Sequence, residues 1–546
     1  MNNTLYIVCQ CIKCIKPKLL LCVSAVIKIL FLILTVVKPV LLAKFIYDVT
    51  KFDYISVQLD AFYIICFFII TLVLQTLAFF IFQRVEQYTV ADIKKVLLKN
   101  ILALQPDNVV LKNPAMLTEI ICFDSNCVTQ VVYKFINFFI DIITAVATGI
   151  IIFSANFFNA TIILIILMVT LITSTHYSKI LHQLEKKEKT SVDENFRFLR
   201  NIILNRLTIK TNDAAQYFKH KYNNEVDTLT SNKIYKENTS WKFHIIGSTM
   251  EKLSIIVFIV IGINMVFYGQ LSLEMFLAFY SYSSIFSSSV TKLFKFTTEM
   301  QSLIVSSQRV MQLYNTTTIE DLLPNRIDIS SLKFEHVSIS YTNTIVIEDF
   351  SYSFFRDHIY LIVGSNGSGK TTVLNTLAGL IRISDGLLLY GNITQDIMLS
   401  TCMNKYVSLY SQDDVVYNIS IRDNILLFDE HKTITLNQVE NICKELKIWQ
   451  SIQNLPCGID TKFSDTFNMS YGQKRKIILA RILLKPSQIL LLDEPLNGID
   501  RQSQTDVLTA IRKYSLGKIV IIATHKEDQF LFADEVIRLR AKEICK

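Results

Sequence analysis

Six stretches of predominantly apolar residues constrain this chain most, because each is long enough, at about 20 residues, to cross a bilayer. They run near residues 19–46, 61–82, 135–154, 159–178, 252–267 and 271–294, the fifth short and interrupted by Gly262. With 51% of its 546 residues apolar, the chain exceeds what soluble domains usually carry, so a membrane is its expected solvent. Basic residues orient the spans. The segment 179–245 carries thirteen Lys or Arg, whereas the connection 46–60 carries only Lys51 beside three aspartates. Both termini are therefore expected in the cytoplasm, in a multi-pass protein of the cell (cytoplasmic) membrane.

The net charge of +8 is spread over the segments between apolar runs instead of forming one basic face, which argues for contact with lipid and against nucleic acid. Eleven cysteines without framework spacing, several inside apolar runs, read as reduced thiols. Cys9, Cys11 and Cys14 could hold a metal, but no second cluster or nearby histidine completes a site. The apolar run after Lys18 continues far past signal-peptide length, so no cleavable signal is expected.

Loop lengths give the organisation. The second-to-third and fourth-to-fifth connections exceed fifty residues and carry helical patterning, so the helices are expected to continue well beyond the bilayer. The pattern changes after Asn315. Residues 1–315 form the expected transmembrane domain, 316–331 a polar linker holding Pro324, and 332–546 a domain with strand-length apolar runs. Ten of the fourteen glycines fall after Leu332, where unusual backbone geometry is needed.

In that last domain a β-branched strand ending at Val363 runs into Gly364, Ser365, Asn366, Gly367, Ser368, Gly369, Lys370, Thr371 and Thr372, then a helix. This is a phosphate-binding loop: its backbone N–H groups wrap phosphates, Lys370 neutralises the β- and γ-phosphates, and the Thr371 hydroxyl suits magnesium. A second apolar strand, beginning at Gln488, delivers Asp493 and Glu494. One carboxylate suits magnesium through water, the other a general base for the attacking water.

From about Phe334 onward the chain resembles the nucleotide-binding domain of ABC transporters, whose short motifs occur here in the family's order. The resemblance implies that Tyr341 stacks on adenine and that Gln412 senses both magnesium and the membrane domain. It assigns Ser470, Gly472 and Gln473 to the signature loop, Asp500 to the D-loop and His525 to the switch histidine at the γ-phosphate. Two positions depart from the pattern: Tyr471 replaces the first signature glycine, and Asn497-Gly498-Ile499 stands where Ser-Ala-Leu is usual. Ser470 and Gly472 remain to bind phosphate at a helix start, so hydrolysis is expected to persist, at a reduced rate.

Six helices ahead of one such domain resemble exporter half-transporters, which implies ATP and Mg2+ as cofactors, a second copy of the chain as partner, and short coupling helices near 113–119 and 211–219. Pro39-Val-Leu-Leu-Ala-Lys and Ser411-Gln412-Asp413-Asp414 resemble the exporters of antibacterial lasso-peptide microcins. No cysteine-peptidase domain is expected before the first helix. The fold class expected is thus an α-helical six-span membrane domain plus an α/β P-loop domain.

Lys28, Lys38, Asp141 and Glu274 fall inside spans, where an ionisable group facing lipid costs at least about 2.5 kcal/mol. Lys44, Glu251 and Lys252 can snorkel at helix ends. Lys28 and Asp141 lie too deep for that, roughly 9 to 13 Å in, and are the candidate transport-pathway residues, expected to pair across a cavity. The function expected is ATP-driven export of a substrate, an antibacterial or other peptide, across the cytoplasmic membrane. The alternatives are a lipid or hydrophobic-drug exporter, favoured by aromatic residues such as Phe79, Phe80 and Phe138, and an ATP-gated protein that does not transport, against which the intact Glu494 and His525 speak.

Overall fold

The computed structural model describes residues 2–104, 114–155, 157–315, 327–341, 344–399, 403–429, 433–463, 469–525 and 533–539. These form two compact units, one of helices up to Asn315 and one of sheets and helices from Ile327 onward.

The first unit consists of α1 (Asn2–Cys14), α2 (Lys18–Thr50), α3 (Tyr54–Ala103), α4 (Pro114–Glu119), α5 (Ser125–Ala155), α6 (Phe157–Leu204), α7 (Arg206–Thr211), α8 (Ala215–Phe267) and α9 (Leu273–Tyr314). A π-helical turn, Ile120–Asp124, joins α4 to α5. At 50, 48 and 53 residues, α3, α6 and α8 are each about 75 Å long, more than twice a hydrocarbon core of about 30 Å. They therefore continue past any membrane they cross, as the loop lengths implied. By length and composition, α2, α3, α8 and the helical run Met116–Ser154 can each span a bilayer. The fourth predicted span lies in α6, where most side chains are outside the described residues, and the sixth occupies the first half of α9.

Short turns join the long helices. Asp53 caps α3 by accepting from the Ser56 N–H at 3.4 Å, and Lys44 on α2 pairs with the buried Asp60 on α3 at 2.8 Å. Lys44 is thus held by an ion pair and does not snorkel freely. Gly262 does not interrupt the fifth span, because α8 runs unbroken through it. A Cβ there would lie 2.5 Å from Phe276 Cε2 on α9. The glycine is an approach site that lets Phe276 stack parallel to Phe258 with ring centroids 6.2 Å apart.

Away from these turns, Ile7, Val8 and Cys11 of α1, with Ile15 just after it, share a core with Ile93 and Leu97 of α3, Val131 of α5 and Val310 of α9. Cys11 and Cys14 are buried there as small apolar groups, and no metal-sized cluster of ligands occurs among the described residues. The Asn100 amide closes the end of α9 by donating to the Leu313 and Tyr314 carbonyls at 2.9 Å each. Of the two predicted coupling segments, 113–119 turns out to be the start of the rod that becomes α5, with Asn113 itself outside the described residues. The other straddles a tight turn at 212–214 between α7 and α8, where Asp213 takes a φ of 51°.

The second unit holds strands β1 (Ser331–Tyr341), β2 (Thr344–Phe355), β3 (Ile359–Val363), β4 (Asp385–Tyr390), β5 (Ile393–Thr394), β6 (Val407–Tyr410), β7 (Ile489–Asp493), β8 (Ile519–Thr524) and β9 (Glu535–Arg538). An antiparallel sheet has the order β2-β1-β4-β5, and a parallel sheet the order β6-β7-β8-β3-β9. Within the parallel sheet β7 and β8 are buried on both faces, which is why they read as apolar runs with no alternation. Successive side chains supply two cores. Leu361, Leu490, Leu492, Val520 and Ile522 face the helix Tyr471–Leu484, while Tyr360, Ile362, Leu491 and Ile521 face the helix Lys370–Leu377 and the antiparallel sheet. In register, Val363 pairs with Thr524 and Asp493 with Ala523, so β3, β7 and β8 end together. Loops leaving the carboxyl ends of parallel strands are where such sheets bind ligands.

Candidate functional site

Beyond β3 the chain turns through Gly364, whose successors Ser365, Asn366 and Gly367 are exposed while Ser368, Gly369 and Lys370 are buried. Gly369 has a φ of 94°, a conformation open to glycine, and it starts the helix Lys370–Leu377 with its first N–H groups facing the loop. The Lys370 ammonium folds into the loop and donates to the Gly364 and Ser365 carbonyls at 2.8 and 3.0 Å. Thr371 donates its hydroxyl to Asp493 Oδ2 at 2.8 Å, and the half-buried Thr372 follows on the helix.

At the neighbouring strand ends, Glu494 has a φ of 49°, uncommon outside glycine, and its N–H bonds the Ala523 carbonyl at 2.9 Å. That backbone twist presents the Glu494 carboxylate to His525, whose Nδ1 lies 3.1 Å from Oε1. The other oxygen, Oε2, accepts from the Asn497 amide. Burial pushes the Asp493 carboxyl up from the ordinary aspartate range; the Thr371 hydroxyl opposes this, and the charges of Glu494 and Asp413 add to it.

These features fit a magnesium nucleotide. Ser368 Oγ is buried without a hydrogen-bond partner, Lys370 presents its charge to the inside of the loop, and Thr371 with Asp493 offers the hard oxygen donors magnesium prefers. A divalent cation would also offset the crowding of carboxylates at Asp493 and Glu494.

Gln412 is exposed just past the end of β6, and its carbonyl accepts from Arg475. Ser470 caps the helix Tyr471–Leu484, with Gln473 returning a bond to the Ser470 N–H at 3.0 Å; Gly472 lies in its first turn. Asp500 caps the helix Arg501–Tyr514, accepting from the Ser503 N–H at 3.1 Å, and its bonds to Ser503 hold its carboxyl below the usual range. Tyr341 ends β1, but its side chain lies outside the described residues. The structure therefore brings Lys370, Thr371, Asp493, Glu494 and His525 to one sheet edge. Among the described residues no hydrogen bond or ion pair joins Ser470, Gly472 or Gln473 to the loop 364–371. Sequence reasoning missed Asn497 and Arg475 as parts of the site; Asn497 stands three residues after Glu494, and Arg475 one helical turn after Tyr471.

In the helical unit, Lys28 and Asp141 line one cavity of about 960 Å³ together with Phe31, Thr76, Tyr133 and Lys292. The expected Lys28–Asp141 ion pair is not formed. Lys28 donates to Asn137 Oδ1 at 2.7 Å and sits 3.5 Å above the Tyr133 ring, whereas Asp141 pairs with Lys292 at 3.9 Å. Asn137 and Asp141 lie one turn apart on α5, so α2 and α9 each reach a different member of the same face. Lys292, near the end of the sixth apolar stretch, was overlooked in the sequence. Lys38 lines a smaller cavity of about 270 Å³ with Phe67 and Gln75.

Comparison with known proteins accounts for both units. The ABC transporter transmembrane region matches residues 21–290, and the ABC transporter family matches residues 347–497. Export ATP-binding/permease proteins of Rickettsia prowazekii (strain Madrid E) and Rickettsia bellii (strain RML369-C) are each 26% identical, over 76% of this chain and 73% of theirs. A solved bacterial Atm1-family ABC exporter with ATP bound superposes with a TM-score of 0.87 at 18% identity, over 96% of this chain and 94% of that one, and so shares the fold. The chain belongs to the ABC transporters, as an exporter half-transporter in which a helical membrane domain is fused to one ATPase domain.

Proposed function

We propose that the chain exports a peptide, of the antibacterial kind or similar, out of the cytoplasm, working as a homodimer in the cytoplasmic membrane with both termini inside. The observation that carries the cargo reading is the cavity around Lys28, whose walls combine charge of both signs, amide and hydroxyl groups, and the aromatic rings of Phe31, Phe79 and Tyr133. A peptide offers backbone and side-chain partners for all of these, and in a low-dielectric cavity each unpaired polar group is costly. Phe79 and Phe80 favour the second reading, a lipid or hydrophobic drug, which would leave Lys28, Asp141 and Lys292 without use.

In the ATPase domain Tyr341 stacks on adenine, and the loop from Gly364 to Thr372 holds the phosphates, with Lys370 against the β- and γ-phosphates. Thr371, Gln412 and, through water, Asp493 would hold magnesium, which when bound would supply charge neutralisation to the phosphates. Glu494 is the general base for the attacking water, fixed by Asn497 on one oxygen and by His525 on the other. His525 then reports the γ-phosphate. Ser470, Gly472, Gln473 and Asp500 complete the site of the partner subunit; among the described residues of their own chain, Ser470 and Gln473 bond each other, and Asp500 bonds Ser503, with no bond to the phosphate loop.

The test uses everted membrane vesicles from cells expressing the chain, with ATP added and the accumulated compounds identified by mass spectrometry. Peptides should accumulate with the unaltered chain. Accumulation should fall with Asp141→Lys or Lys292→Asp and recover in part when both changes are combined. Uptake of lipids or apolar drugs alone, indifferent to these charges, would overturn the peptide reading.

A further inference from the structure

The two departures from the family pattern meet in space. Tyr471, the first residue of its helix, lays its ring on Gly498: a Cβ at Gly498 would fall 2.3 Å from Tyr471 Cε1 and 2.6 Å from Cδ1. Gly498 also takes a φ of 77°, so the loop carries a glycine for two reasons at once. A Cβ at the neighbouring Gly472 would lie 3.0 Å from the Gly498 carbonyl, which shows how closely the helix start and this loop approach. The ring is therefore matched to the glycine, and an alanine there would force it away.

The phenol of the same tyrosine makes a second connection. Tyr471 OH accepts from Arg475 Nε at 3.0 Å and from Nη2 at 2.7 Å, one helical turn along. Arg475, buried, donates from Nη1 to the Ser411 carbonyl at 3.2 Å and from Nη2 to the Gln412 carbonyl. Planar and permanently charged, the guanidinium holds two carbonyls and the phenol oxygen in one fixed arrangement. On the other side of the ring, Gly498 follows Asn497, whose amide holds Glu494.

We propose that Tyr471 is a positioning residue for hydrolysis, clamping the loop that carries Asn497 and Gly498 to the loop that carries Gln412 through its ring and its hydroxyl. Its ring and its hydroxyl are both engaged within its own chain, by Gly498 and Arg475. It sets how Glu494 and Gln412 stand relative to the signature helix, and it makes Tyr471 and Gly498 a matched pair in place of the family's glycine and alanine. This rests on the general-base reading of Glu494.

The test is steady-state ATP hydrolysis by the purified full chain in lipid nanodiscs, with ATP binding measured separately on each variant. Tyr471→Phe keeps the ring on Gly498 and removes only the acceptor for Arg475, so it should fold; kcat should fall about three- to tenfold with KM for ATP unchanged. Gly498→Ala should lose more, because the ring must swing off the loop and release Arg475. Combining Gly498→Ala with Tyr471→Gly should give at least about threefold more turnover than Gly498→Ala alone, although independent effects would make the double variant worse. The proposal is overturned if Tyr471→Phe matches the unaltered chain or raises KM alone, or if the double variant is no more active than Gly498→Ala. Loss of turnover in Glu494→Gln with ATP binding retained checks the underlying reading separately.

Discussion

At Glu494 a left-handed backbone, a histidine and an asparagine converge on one carboxylate. A non-glycine residue holds such a conformation only where its surroundings enforce it, here through the bond of its N–H to Ala523 at the next strand end. Glu494→Gln keeps shape and hydrogen-bonding capacity but cannot take a proton, so hydrolysis should drop by at least about a hundredfold while nucleotide binding persists. Turnover and equilibrium ATP binding measured on the same preparation check this; unchanged turnover would remove Glu494 from the role. The contiguous parts of the site could be read from sequence because their geometry is local: the spacing from Gly364 to Thr371 makes a loop, and a strand ending in two acids delivers both. The bond of Asn497 to Glu494, the bridge of Arg475 from Tyr471 to Ser411 and the pairing of Asp141 with Lys292 depend on how elements pack. No spacing rule encodes them.

At the scale of elements, the long helices show where apolar patterning misleads. Gly262 and Pro39 both look like breaks, yet α8 and α2 run through them. Pro39 is buried inside α2, and Gly262 serves a neighbour's ring, so packing decides what local propensity leaves open. The helix α8 contains its own control. Gly262→Val should destabilise the bundle by about 1–3 kcal/mol through overlap with Phe276. Gly247→Val, with nothing within 4 Å of the added Cβ, should be neutral or slightly stabilising, since valine favours a helix more than glycine does. Thermal unfolding of both variants in one detergent gives the comparison. Equal melting temperatures would mean that the Phe276 contact yields freely.

At the scale of the molecule, the proposed homodimer puts the phosphate loop of one chain and the signature helix of the other on one nucleotide, so two copies placed head to tail would give two equivalent sites with ATP at the interface. Co-expressing a Lys370→Ala chain with a Ser470→Arg chain should yield mixed dimers with one doubly altered and one intact site, whereas each variant alone has two altered sites. Nucleotide trapping at half occupancy in the mixture, absent from either variant alone, is the expected result; full trapping by a chain held monomeric would refute the shared site. The sheet order has a consequence of its own. Strand β3, which leads into the phosphate loop, is flanked by β8 and β9, so that Val363 finds its neighbours Thr524 and Arg538 only near the end of the sequence. During synthesis the loop leaves the ribosome long before the strands that brace it, and pairings so distant along the chain form late. A translation product interrupted before residue 519 therefore carries the phosphate-binding sequence without the two strands that brace it.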